Sequence, residues 1–263
     1  MSEELSQEAL YSMSSDLESL SNRFGSTERN VEGTLISNDE GFKEIIPGIK
    51  ETIGDKEGGV GLFIGSGGAI SLLPDLPIDI SLIVDKNPAV LELNQLIASL
   101  IQEEESPESV IDKLRNPETA QILEDINQVP GNLDLMMAYI THGEPNQFGE
   151  YHWTNPNRFN QVKKALREKP MIFVVADVTD DGFAEGLTAT LTRYQEYIRF
   201  ANFTNVHSWI RDRPMDFIRK WPLDTNATIV YSSNEGGLVG DSPKVRMTHS
   251  LEDYIQITSS EKP

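Results

Sequence analysis

The chain has 263 residues, of which 38% are hydrophobic and 24% charged, and this composition favours one sizeable folded domain over a disordered or fibrous protein. Acidic residues outnumber basic residues by 42 to 22, a formal net charge of -20, and repulsion of phosphate groups predicts that neither nucleic acid nor a membrane is a partner. The absence of cysteine excludes disulfides, thiolate metal ligands and a cysteine nucleophile, and with no apparent signal peptide or spanning segment a cytoplasmic location is expected.

Residues 1–50 are predicted to form an N-terminal helical arm. Apolar residues recur there at helical spacing, first at Leu10, Met13, Leu17 and Leu20 and again within residues 42–49. The main α/β domain is predicted to occupy residues 51–263.

Strand and helix patterns alternate through the main domain. Apolar or β-branched runs predict strands at residues 60–64, 78–84, 171–176, 197–203, 227–231, 245–248 and 254–258. Amphipathic spacing predicts helices at residues 88–100, 158–167 and 183–194. This alternation predicts a mostly parallel central sheet with helices on both faces.

An insertion after the second strand is predicted at about residues 103–156. It begins with acidic residues and contains two short helical patterns. Its last part, residues 141–156, mixes turn-forming residues with aromatic ones and has no period, so we expect an irregular loop there that could serve as a lid.

A glycine-rich turn directly follows the first buried strand. Gly65, Ser66, Gly67 and Gly68 form this turn, where the lack of side chains lets a backbone approach a nucleotide closely. Asp85 ends the next strand about twenty residues later, at the position from which a carboxylate accepts hydrogen bonds from ribose hydroxyls. The pair predicts a nucleotide site; the alternative is a structural turn beside a solvated aspartate.

The turn also bears on which nucleotide binds. Ile70 stands where a dinucleotide-binding turn has its third glycine, and its bulk disfavours the close helix-strand packing of an NAD site. The sequence here resembles the class I S-adenosylmethionine-dependent methyltransferases, in which an apolar strand leads into Gly-x-Gly-x-Gly and an acid closes the second strand. Gly65, Gly67 and Ala69 match the three small positions. The resemblance implies a Rossmann-like methyltransferase fold with S-adenosylmethionine as cofactor.

The resemblance also implies roles for individual residues. Asp85 would bind the ribose, and Asp177 with Val178, after a later strand, would meet the adenine. Thr204 and Asn205 fall where the family's fourth motif lines the methyl-transfer site. One position departs from the family, because Phe63 replaces the acid that usually stands two residues before the first glycine.

Candidate catalytic and substrate residues lie outside the turn. Methyl transfer needs alignment of the acceptor and in some cases a base. His207 is a candidate base and Asn205 could orient the acceptor, although both residues also suit structural hydrogen bonds. An aromatic stretch could either close over a substrate or anchor the insertion to the core, and it consists of Tyr151, His152 and Trp153.

No metal site is predicted, because His142, Glu144, Glu150 and His152 lack a recognised ligand spacing. The predicted function is methyl transfer from S-adenosylmethionine to a small molecule or peptide. One alternative is an interaction protein that keeps the fold without catalysis, which the phenylalanine at position 63 and the charge balance favour. A further alternative is an NAD-dependent oxidoreductase. The sequence does not indicate an oligomeric state.

Overall fold

The computed structural model describes residues 6–25, 41–53, 58–65, 68–127, 132–204, 215–233 and 244–260. Six strands in these ranges form one sheet in the order β3-β2-β1-β4-β5-β6. They are β1 Val60–Ile64, β2 Ile80–Asp85, β3 Met171–Val175, β4 Ile198–Asn202, β5 Leu223–Ser233 and β6 Lys244–Thr248. The first five strands pair in parallel, and β6 runs antiparallel to β5.

Helices cover both faces of this sheet. They are α1 Gln7–Phe24, α2 Phe42–Ile53, α3 Ala69–Leu72, α4 Pro88–Glu103, α5 Pro107–Leu114, α6 Pro117–Asn127, α7 Asn132–Ala138, α8 Glu144–Phe148, α9 Pro156–Glu168, α10 Asp181–Arg193 and α11 Leu251–Ser260. Capping residues set several of their starts. Asn87, for example, accepts a hydrogen bond from the Ala89 N–H at 3.1 Å, and Pro88 occupies the first helical position of α4.

The sheet separates two hydrophobic layers because successive strand residues point to opposite faces. Leu62 packs in the layer formed with α1, α10 and α11, whereas Phe63 packs in the layer formed with α2, α4 and α9. Both side chains are fully buried. The predicted fold class, a mostly parallel sheet with helices on both faces, is confirmed.

The predicted strand at residues 254–258 is wrong, because that stretch lies within helix α11. Ser250 accepts a hydrogen bond from the Asp253 N–H at 3.1 Å, and acidic residues occupy the first turn of the helix. These are helix-start signals. The prediction gave more weight to the β-branched residues nearby than to these helix-start signals. Tyr254 and Ile255 are buried on the sheet side of the helix.

The N-terminal helix α1 packs directly on the sheet. Its apolar residues Met13, Leu17 and Leu20 are buried in the layer beneath β3 and α10. Asp16 accepts hydrogen bonds from Arg193 at 2.6 Å and Tyr194 at 2.8 Å. The second helix, α2, continues past residue 50 to Ile53.

The insertion between α4 and α9 is mainly helical. It contains α5 to α8, a π-helical turn Tyr139–Gly143 and a 3-10 turn Gly149–Tyr151. The predicted irregular loop at residues 141–156 is therefore wrong for most of its length. Short pieces with different numbers of residues per turn leave no single hydrophobic period for a sequence pattern to detect.

Candidate functional site

The glycine turn begins at the carboxyl end of β1. Gly65 has a φ of +72° and donates its N–H to the carbonyl of Val84 at 2.9 Å, so the backbone turns sharply beside the end of β2. Gly68, with a φ of +67°, precedes α3. Both values lie in the left-handed region that glycine tolerates best. Ser66 and Gly67, the other predicted residues of the turn, lie outside the described residues.

Asp85, at the end of β2, lies against this turn. A Cβ built on Gly65 would lie 3.3 Å from Asp85 Oδ2. Apart from the two chain neighbours of Gly65, no other atom of the described residues lies within 4 Å of that Cβ position. The other carboxylate oxygen, Oδ1, accepts a hydrogen bond from the Asn87 N–H at 2.7 Å. Glycine at position 65 therefore leaves a small cradle whose wall is a carboxylate.

Burial raises the pKa of Asp85 from 3.8 to about 6. The Asn87 N–H and the charge of Lys86 oppose this change, and the negative charge of Asp177 adds to it. Among the described residues, no ion pair involves Asp85. A partly buried acid without a cation as direct partner is suited to accept hydrogen bonds from a neutral polyol such as a ribose.

Asp177 follows β3 at the same edge of the sheet. Its Oδ1 accepts hydrogen bonds from the backbone N–H of Thr179 at 2.9 Å and from its hydroxyl at 2.7 Å. Val178 is buried, while Asp177 itself is exposed. The N–H of Ala176 donates to the carbonyl of Asp85 at 3.0 Å, which ties the two strand ends together.

The carboxyl end of β4 supplies a residue that the sequence prediction missed. Asn202 is fully buried, and its Oδ1 accepts a hydrogen bond from the Thr204 N–H at 3.1 Å. Thr204 is buried as well. The available signal was a polar residue ending a buried strand at the edge where ligands bind. Asn205 and His207, the predicted catalytic residues, lie outside the described residues.

The aromatic stretch of the insertion packs into the core. Trp153 is 1% exposed, and its backbone N–H donates to Ser71 Oγ at 3.3 Å. His152 is fully buried with its Nδ1 2.8 Å from Thr154 Oγ1. Tyr151 is partly buried beside the guanidinium of Arg158. The burial of His152 and Trp153 favours the anchoring role over direct contact with a substrate.

Phe63 also belongs to the core. Its side chain is fully buried, with its ring centroid 5.4 Å from that of Phe200. The position that carries an acid in the resembling family is thus an apolar packing position in this chain. No charged side chain at residue 63 is available to a cofactor.

The sheet order and the turn together define the class of the fold. The connection from β1 leads to β2 on one side, whereas β4 lies on the other side of β1. Such a switch point is where open α/β sheets bind ligands, outside the carboxyl ends of the strands. The architecture is a Rossmann-like α/β fold, with an antiparallel last strand and a glycine turn at the switch point.

Comparisons with known proteins gave matches among solved structures. Two structures of the rRNA methyltransferase aviRa from Streptomyces viridochromogenes are similar to this chain. The first is 18% identical to this chain, the match covers 74% of this chain and 73% of the aviRa chain, and the TM-score is 0.40. The other is 17% identical, covers 86% and 83%, and has a TM-score of 0.38. Because both the identities and the TM-scores are low, the fold is defined by this chain's own sheet topology and not by these similarities.

No protein family model and no curated protein sequence matches the chain. Both similar structures are methyltransferases, the class that the sequence predicted. They are rRNA methyltransferases, which contradicts the predicted exclusion of nucleic acid and the small-molecule or peptide acceptor. The net charge was a poor guide, because charges are screened beyond about 8 Å at physiological salt and a local surface decides binding.

Two further findings apply to the described residues alone. None of the helices described is long and apolar enough to cross a membrane. Within the same ranges, no group of three or more His, Asp or Glu side chains could hold a metal ion.

Proposed function

We propose that this chain is an S-adenosylmethionine-dependent methyltransferase whose cofactor binds at the carboxyl ends of β1 and β2. The observation that carries the proposal is the carboxylate of Asp85 facing the Cβ position of Gly65 at the switch point of the sheet. A backbone without a side chain beside a hydrogen-bond acceptor is the arrangement that nucleosides need.

The described residues fit the nucleoside part of this cofactor. With a pKa of about 6, Asp85 is mostly ionised at pH 7 and can accept hydrogen bonds from both ribose hydroxyls. Asp177 stands one strand further along the edge, and its Oδ2 accepts no hydrogen bond among the described residues. It is our candidate for the adenine amino group, with Val178 packing against the ring.

The bound cofactor supplies a methyl group that is already activated by its sulfonium. The chain's own residues then have to align the acceptor and remove a proton where the acceptor carries one. The segment after β4 borders the switch point, and Asn202 fixes its backbone through the Thr204 N–H. We keep Thr204 and Asn205 as candidate acceptor-lining residues and His207 as the candidate base.

Binding of S-adenosylhomocysteine and S-adenosylmethionine, measured by isothermal titration calorimetry, tests the proposal. Asp85→Asn should weaken binding about 5- to 150-fold, since the loss of a charge-assisted acceptor costs about 1–3 kcal/mol. Affinity in the wild type should also fall as the pH drops below about 6, where Asp85 gains a proton. Absence of binding heat at millimolar ligand would disprove cofactor use.

Asp224→Asn is the matched control. Asp224, at the opposite edge of the sheet, also accepts a hydrogen bond from the backbone N–H two residues later, at 2.8 Å from Asn226. It should leave cofactor affinity unchanged. Transfer of radiolabelled methyl groups should then be tested with ribosomal RNA as one acceptor, because the similar structures are rRNA methyltransferases.

A second candidate is an interaction protein that keeps this fold without catalysis. The burial of Phe63 against Phe200 favours it, because no acid stands at that position to bind the methionine part of the cofactor. This candidate predicts no heat with either ligand and an identical melting temperature for wild type with and without them.

A further inference from the structure

The helix that follows the glycine turn is unusually short. Helix α3 has 4 residues and is followed by the 3-10 turn Leu73–Asp75 before β2 begins. In nucleotide-binding βαβ units, packing of a full helix on the sheet holds the turn in place. A single helical turn gives little support of its own, because helix formation is cooperative and short helices depend on tertiary contacts.

The end of the insertion supplies such contacts, first at the turn itself. Phe148, the last residue of α8, is 1% exposed, and its ring fills the space beside Gly68. A Cβ on Gly68 would lie 2.0 Å from Phe148 Cζ. Phe42 of α2 stacks on the face of this ring at a centroid distance of 4.4 Å.

Three more contacts hold the short helix and the 3-10 turn that follows it. The N–H of Trp153 donates to Ser71 Oγ at 3.3 Å. Arg158 donates to the carbonyl of Ser71 at 3.1 Å and forms an ion pair with Asp75, and both charged residues are buried. Every turn of the segment from Gly68 to Asp75 is thus in contact with the end of the insertion or with Arg158 of the adjoining helix α9, about eighty residues away in the chain.

We propose that Phe148 is a positioning residue for the cofactor turn, so that the insertion braces α3 in place of a full-length helix. The proposal rests on the proposed function for its consequence on ligand binding. The contact is reciprocal: the ring occupies the space that a side chain at position 68 would need, and the ring can pack there because Gly68 has no side chain. Cofactor affinity then depends on the packing of the insertion.

Phe148→Leu tests the proposal, with Phe200→Leu as control. Phe200 is fully buried in the same apolar layer, on β4. We expect Phe148→Leu to weaken binding of S-adenosylhomocysteine about tenfold or more, because small displacements of positioning groups have large effects. Phe200→Leu should reduce the melting temperature to a similar extent while the dissociation constant stays within about twofold. Equal losses of affinity in both variants would overturn the proposal.

Hydrogen exchange without ligand gives an independent test. Gly68→Ala should speed amide exchange in α8 and Gly149–Tyr151, and Phe148→Leu should speed exchange in Ala69–Leu72. Effects confined to each variant's own segment would refute the coupling. If the wild type binds no S-adenosylhomocysteine, the proposed function fails, while this exchange experiment still decides whether the insertion positions the turn.

Discussion

The carboxyl ends of the parallel strands, here called the carboxyl edge, and their amino ends, the amino edge, each hold a carboxylate with a raised pKa. The two edges differ in what surrounds this carboxylate. At the carboxyl edge, burial raises the pKa of Asp85 to about 6. At the amino edge, burial and the charge of Asp79 raise the pKa of Glu196, which precedes β4. A raised pKa therefore does not by itself distinguish a ligand site from a structural cluster.

The neighbouring cation makes the difference. At the amino edge, Arg199 lowers the pKa of Glu196, donates to the carbonyl of Gly58 at 3.2 Å and lies 3.9 Å from Asp224. Its side chain also fills the space beside Gly59, where a Cβ would lie 2.8 Å from Arg199 Cδ. At the carboxyl edge, the space beside the turn faces a carboxylate. Among the described residues, a cation therefore fills the space beside the glycine at the amino edge, whereas an acceptor faces it at the carboxyl edge.

Removal of Arg199 should give the largest effect on stability. Arg199→Met keeps much of the apolar stem but leaves the nearby acids of the amino edge without their cation, so we expect the free energy of unfolding to fall by about 3 kcal/mol. Urea denaturation at pH 7 measures it. Affinity for S-adenosylhomocysteine should not change, and a loss of affinity without loss of stability would contradict the division between the edges.

The pH dependence of Asp85→Asn should give the next largest effect. Because the pKa of Asp85 is raised in the folded protein to about 6 from 3.8, the folded state holds the proton more tightly than the unfolded state. The contribution of Asp85 to the stability of the wild type therefore falls as the pH rises through this window. Relative to wild type, Asp85→Asn should gain about 1–2 kcal/mol between pH 4 and pH 7, after allowance for solvent screening.

Unfolding in urea at a series of pH values measures this difference. Asp224→Asn serves as the control for a general effect of removing a charge from a protein with net charge -20. A difference between wild type and Asp85→Asn that stays constant across the window would show that the pKa is not raised.

The carboxyl edge could be predicted from sequence because its signals are local. β1 and β2 are buried on both faces, so they read as continuous apolar runs, and Gly65 and Asp85 directly follow or end them. Backbone freedom at the glycine and the position of the acid need no knowledge of distant residues. The same reasoning identified the parallel order from the alternation of strands and helices.

The support of this edge could not be predicted, because it comes from distant pairs. Arg158 and Asp75 are 83 residues apart, and Phe148 reaches Gly68 from a segment whose helical pitch changes every few residues. Neither a period nor a motif records such a contact. The exclusion of nucleic acid failed for a related reason, since a charge summed over the chain contains no information about which surface carries it.

A smaller effect is expected for Glu196→Gln at the amino edge. Since burial raises the pKa of Glu196 and Arg199 opposes this change, the neutral side chain avoids the burial penalty but loses the attraction. Relative to wild type, the variant should gain no more than about 1 kcal/mol as the pH rises past the ordinary range of a glutamate. Thermal unfolding of both proteins at pH 4 and pH 7 measures this difference. If Glu196→Gln instead lost stability relative to wild type as the pH rises, the assigned sign would be wrong.

Asp224→Asn should have the smallest effect of the four. Asp224 lies 3.9 Å from Arg199 Nε with 29% of its side chain exposed, and such pairs contribute about 0–1 kcal/mol. An asparagine oxygen can still accept from the Asn226 N–H. Urea denaturation should show a loss of about 0.5 kcal/mol. A much larger loss would mean that Arg199 depends on this one partner, so that the amino edge is a pair and not a cluster.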